Sequence, residues 1–85
     1  MTVIDSTVAV WTNENGVPER IVWHARRYRV SDQPTRLEPD FSLITHPIPI
    51  DGWRFQGTAD DGTSRVFDVL FSAARGQWRV IRVYE

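Results

Sequence analysis

Arg26, Arg27 and Arg29 crowd a four-residue stretch of this chain. Guanidinium groups that close together present planar donor forks suited to phosphate, to carboxylate or to the face of an aromatic ring. Arg54 follows Trp53 directly, and Trp11 stands just ahead of a polar turn. Arginine beside exposed indole is a combination that grips a nucleic-acid strand, the cation meeting phosphate while a base stacks on the ring for about 1–3 kcal/mol. Arg26, Arg27, Arg29, Arg54, Trp11 and Trp53 are therefore the candidate binding residues. A plainer reading keeps the same arginines as a solvated strand face, paired with cross-strand acids such as Glu19 or Asp68. All ten basic residues are arginine, a bias that a GC-rich genome also produces.

Other chemistry finds little support in the residues. The two histidines, His24 and His46, lack the H-E-x-x-H spacing, and no cysteine is present to complete a zinc set. Ser6, Ser31, Ser42, Ser64 and Ser72 lie outside any G-x-S-x-G context, and no glycine-rich phosphate loop occurs. Asp60 and Asp61 are adjacent carboxylates, but they precede Gly62, where turn formation and bonding to nearby backbone account for them. No nucleophile, base and orienting group converge. The expectation is a protein that is not an enzyme, with no catalytic residue, no metal and no cofactor.

Positioning the candidate face requires strands. Eighty-five residues suit a single domain, and a chain of this length buries only about 60–65% of its unfolded surface. Four Trp, four Phe and two Tyr supply the apolar area, and Trp23 and Trp78 read as core. Thr7 to Thr12 alternates weakly and meets a turn at Asn15-Gly16. Pro18 fits a strand start, after which Ile21 and Trp23 share one face while Arg20 and Val22 share the other. Arg27 to Ser31 places Tyr28 and Val30 inward and Arg27 and Arg29 outward, with His24-Ala25 making the turn between these two strands. The last third of the chain is a meander. Trp53, Phe55 and Gly57 alternate with Arg54, Gln56 and Thr58. Asp61-Gly62 turns the chain into a strand apolar on both faces, 66–71, and Gly76 turns it again. In the final strand Trp78, Val80 and Tyr84 compete with Ile81 and Val83 for the interior, which predicts either a bulge near Ile81 or a strand curling in a barrel.

Residues 32–52 interrupt this pattern, because Pro34, Pro39, Pro47 and Pro49 remove ladder donors and restrict the residues before them. A long proline-rich loop is predicted there, packed by its own side chains, with a short helical turn near Glu38 to Phe41. The fold class expected is all-β: one domain over 1–85, a small and strongly bent antiparallel meander forming an SH3-like or partly open barrel of five to six strands.

PERIVWHARRYRV, and much later VFDVLFSAARGQWRVIRVYE, resemble a family of small bacterial domains of unknown function, actinobacterial in type. Pro18, Ile21, Trp23, Arg26, Tyr28 and Val30 match its first motif. Gly76, Trp78, Val80, Arg82, Val83 and Tyr84 match its second. Ala25 stands where the family tends to have Gly. Some relatives look like tail domains of lesion-bypass-polymerase-like proteins, which implies a place beside DNA or a polymerase. The resemblance implies no catalytic residue.

The opening residues lack a basic stretch and meet Asp5 before any apolar run, and no segment approaches the roughly 20 apolar residues of a membrane helix. The chain therefore reads as soluble and cytoplasmic, with no membrane partner. Its net charge of −1 argues against a whole-molecule field that collects nucleic acid, so any polyanion site is local. The leading expectation is a non-enzymatic binding or accessory module that meets another protein through a sheet edge or the 32–52 loop. The alternative is a nucleic-acid-binding accessory domain, associated with DNA repair or replication, using the arginine and aromatic face. Homodimerisation through an edge is a third reading.

Overall fold

The computed structural model describes residues 2–37 and 51–84, and side chains within that range from Ser6 onward. Its strands are β1 (Thr2–Thr12), β2 (Pro18–Trp23), β3 (Arg26–Val30), β4 (Thr35–Arg36), β5 (Gly52–Thr58), β6 (Ser64–Ser72) and β7 (Gln77–Tyr84). They pair antiparallel in the order β3-β2-β1-β7-β6-β5-β4, and an added pairing of β3 with β5 closes six of them into a barrel. The all-β expectation holds, and β4 is one strand more than the alternation indicated. Its two residues pair with Trp53 and Arg54 of β5 inside the stretch read as loop. The helical turn expected near Glu38 to Phe41 lies outside the described residues.

Local chemistry accounts for most of the strand boundaries. Asn13 organises the first turn by accepting the N–H groups of Asn15 and Val17 on its Oδ1, at 2.8 and 3.0 Å. Pro18 begins β2 as expected, and Glu19 is an extra residue in that strand, since Thr12 faces Pro18 while Trp11 faces Arg20. β1 is longer than its alternation suggested. Its first half, which shows no alternating pattern, is held by pairing with β7 from Thr2 opposite Val83 to Val8 opposite Trp78.

The His24-Ala25 turn uses positive φ at both residues, 51° and 62°, the geometry that suits a two-residue hairpin. A side chain in that region costs about 1 kcal/mol relative to glycine. His24 recovers part of it by stacking on Trp23, with ring centroids 3.9 Å apart at 16°. Of the two devices that could reconcile the competing residues of the last strand, a bulge near Ile81 is present. Asp68 faces Arg82 while the next residue, Val69, faces Val80, leaving Ile81 unmatched. That extra residue lets Val80 and Val83 both point inward and turns Tyr84 outward.

The barrel interior holds Ile21, Trp23, Tyr28, Trp53, Phe55, Ala59, Phe67, Val69, Val80 and Val83, with Val8, Val10, Val17, Val30 and Trp78 half-buried against them. Phe67 is its hub, meeting Tyr28 edge-on at 5.1 Å and Trp23 and Phe55 at 5.8 Å each. Gly57 is needed where β5 passes beneath these rings. A Cβ there would stand 2.9 Å from Cβ of Tyr28 and 3.0 Å from Cε2 of Phe67.

Candidate binding face

The outer surface of β1, β2 and β3 carries a groove of about 630 Å³ bordered by Trp11, Arg20, Val22, Arg27, Arg29 and Asp60. Strand pairing assembles it. The two-residue turn sets Trp23 opposite Arg26, so Val22 falls opposite Arg27 and Arg20 opposite Arg29. Tyr28 and Ile21 point inward between them, which leaves the Arg27 and Arg29 side chains on the outside. The Glu19 bulge then brings Trp11 opposite Arg20. Trp11 is 52% exposed, a large apolar side chain left in solvent.

Arg20 and Arg29 are like charges directly across a strand pair, an arrangement that weakens a sheet. Arg27 adds a third cation two residues along β3. None of the ion pairs among the described residues involves any of the three; those pairs join Arg26 to Asp61, Arg36 to Asp51, and Arg54 and Arg82 to Asp68. Asp60, at the rim, is the acid that borders the groove.

Of the six residues singled out from the sequence, the structure brings Trp11, Arg27 and Arg29 together and separates the other three. Arg26 begins β3 beside the His24-Ala25 turn and is bonded to Asp61. Arg54 lies on the outside of β5 and holds Asp68 through two bonds, Nε to Oδ1 at 2.7 Å and Nη2 to Oδ2 at 3.0 Å. Trp53 is only 7% exposed. β4 covers its remaining face, with the Arg36 guanidinium 4.2 Å above the ring and tethered to Asp51 at 2.9 Å. Of the acids invoked as partners for the β3 arginines, Asp68 bonds elsewhere: fully buried, it takes Arg54, the Tyr84 hydroxyl at 3.0 Å and Arg82 at 3.6 Å, and Glu19 is in none of the ion pairs among the described residues.

Arg20 is the functional candidate that alternation alone passed over. Its signal was present in the hairpin, because a two-residue turn at His24-Ala25 determines which residue of β2 faces Arg29.

Asp61 behaves as the turn former its position suggested. Its Oδ1 accepts the Thr63 N–H at 3.0 Å, and Gly62, at φ 86°, closes the turn with its N–H on the Ala59 carbonyl. The Thr63 hydrogen bonds, followed by Arg26, hold the Asp61 carboxyl at about 2, down from an ordinary 3.8. Because the folded value is the lower one, this contribution to stability is present in full above about pH 4 and is lost as pH falls from 4 towards 2. The urea midpoint of the native protein should decline over that window, and Asp61→Asn should flatten part of the decline. An identical slope in the variant would mean that the turn carboxylate is not linked to folding.

His24 is exposed in its turn, and His46 lies outside the described residues. Among the described residues no group of three His, Cys, Asp or Glu side chains could hold a metal ion, and no helix is long and apolar enough to cross a membrane. Compared with family models, curated proteins and solved structures, the chain matches none.

Proposed function

We propose that this protein is a non-catalytic binding module that captures an anionic partner on the outer face of β1, β2 and β3. One observation carries the reading. Arg20, Arg27 and Arg29 converge without an ion-pair partner among the described residues, although eleven acids are available in the chain. Like charges left facing each other cost folding stability, and a bound anion removes that cost. A sheet-edge mode is less favoured, because the β3–β5 pairing takes up the edge that an open meander would have offered.

Titration with inorganic polyphosphate, followed by backbone and side-chain NMR at low salt, tests this. Shifts should concentrate on Arg20, Arg27, Arg29 and the Trp11 indole, and should fade as salt rises. Arg29→Glu should weaken binding roughly 10- to 30-fold, since reversing one charge changes the interaction by about two units of roughly 1 kcal/mol each in water. Shifts confined to Arg54, Arg82 or Arg75, or no shifts at low salt, would overturn the assignment of the face.

A further inference from the structure

The groove belongs to a longer feature. Trp11, Arg20, Arg29, Thr58 and Ser64 are successive partners across β1, β2, β3, β5 and β6, a single row around the barrel. All five point outward: Trp11, Arg20, Arg29 and Ser64 are exposed and Thr58 half-buried, while Ile21, Tyr28 and Gly57, which alternate with the middle three, are buried. Four interstrand steps of about 4.8 Å give the row a length of roughly 19 Å along the surface. Its chemistry changes in order along that length. An exposed indole comes first, two guanidinium groups follow, and hydroxyls finish it, Thr58 Oγ1 lying 2.9 Å from Ser31 Oγ and 2.9 Å from Ser64 Oγ.

We propose that the ligand of this face is a single strand of nucleic acid laid along the row, with one base stacked on Trp11, its phosphates over Arg20 and Arg29, and its sugar–phosphate backbone continuing onto the Ser31, Thr58 and Ser64 hydroxyls. This rests on the reading of the face given above and names its partner. An acidic peptide would neutralise the arginines but would leave an exposed indole with no planar group to meet. A duplex keeps its base faces inside the stack, where Trp11 cannot reach them. A single strand offers both a free π face and regularly spaced anions, the two things the row presents partners for. Arg27, one step off the row, is placed to take a neighbouring phosphate. Asp60, which also lines the groove and follows Thr58 by two residues, repels anions on its side of the row. The overall charge of −1 means that attraction comes from this row and not from the whole surface.

The test uses the full chain and a fluorescently labelled 12-nucleotide oligothymidylate read by anisotropy, with oligouridylate of the same length in parallel to separate DNA from RNA, a duplex of the same length, and unlabelled polyphosphate as competitor. Single strands should bind more tightly than the duplex, and Trp11→Ala should weaken single-strand binding by about 5- to 150-fold while changing polyphosphate binding little. Affinity should fall with salt at a logarithmic slope near −2, about −0.7 for each of three phosphates, and Arg29→Glu should make that slope shallower. Trp11 is exposed, so its loss does not threaten folding. Polyphosphate binding at the face with DNA affinity unchanged in Trp11→Ala, or a duplex bound as well as the single strand, would overturn the single-strand assignment and leave the face as an anion site. Failure of polyphosphate and oligonucleotide alike would overturn both.

Discussion

Phe67→Ala should lower stability by about 3–5 kcal/mol, the range for deleting a fully buried phenyl ring and leaving its cavity. The ring touches Tyr28, Trp23 and Phe55, which come from three different strands, and its strand β6 sits between β5 and β7. Collapse of the surrounding shell is restricted because Gly57 already lies in contact with the same rings. A domain of 85 residues is stable by roughly 4–13 kcal/mol in total, so this one change removes a large share and brings the chain near its unfolding threshold. Urea denaturation should show the midpoint moving down with an unchanged slope. Phe67→Leu should cost about 1–1.5 kcal/mol, as roughly volume-conserving changes do. A Phe67→Ala midpoint close to that of the native protein would mean that the barrel interior is not packed around this ring.

Arg54→Met should cost about 3 kcal/mol, a larger loss than the surface position of the arginine suggests. Exposed ion pairs contribute little because water solvates both partners. Here only the arginine is solvated, and Asp68 is 0% exposed. Its carboxylate is compensated chiefly by the two bonds from Arg54, with the Tyr84 hydroxyl at 3.0 Å and Arg82 at 3.6 Å as lesser support. Those two remaining groups put the expected cost at the low end of the range for breaking a buried pair, about 3–5 kcal/mol. The Asp68 interaction in turn holds the Arg54 guanidinium more firmly protonated than usual. Removing both charges together, in Arg54→Met with Asp68→Leu, should restore most of the lost stability, since no buried charge then remains uncompensated. A loss below about 1 kcal/mol in the single variant would show that water reaches the carboxylate. Neither variant touches the groove on β1, β2 and β3, so polyphosphate affinity should stay at its native value. That separates the stabilising arginine from the binding ones.

Much of the fold was legible because β-strand chemistry is local. Ile21 and Trp23, Phe55 and Gly57, and Phe67 and Val69 alternate at the period that places them inside, and all six are buried. The excess of apolar residues in the last strand called for a bulge near Ile81 or a curling strand, and the ladder has a bulge there. Arg27 and Arg29 were readable as outward-facing for the same reason. Arg54 was readable as outward-facing too, but its partner was not, because a side chain's direction says nothing about which strand lies beside it. Trp53 illustrates the limit most clearly. Its position at a strand start made it a plausible platform, and only the pairing of Thr35–Arg36 with β5 puts a guanidinium over its ring.

The sequence by itself determined the periodicity, the turns at Asn15-Gly16, His24-Ala25, Asp61-Gly62 and Gly76, and therefore the inward and outward faces of the strands they join. These depend on residues adjacent in the chain, whose backbone preferences and alternation act without reference to the rest of the molecule. Tertiary structure decided everything that depends on which strands become neighbours: closure of the barrel by β3 against β5, recruitment of the unpatterned start of β1 by β7, and burial of Trp53 beneath β4. It also decided which arginines bond to acids or aromatic rings, Arg26, Arg36, Arg54, Arg65 and Arg82 among them, and which three face outward together beside Trp11. Cross-strand register, set by bulges and by contacts distant in sequence, chooses each side chain's neighbour, and charge alone cannot choose it.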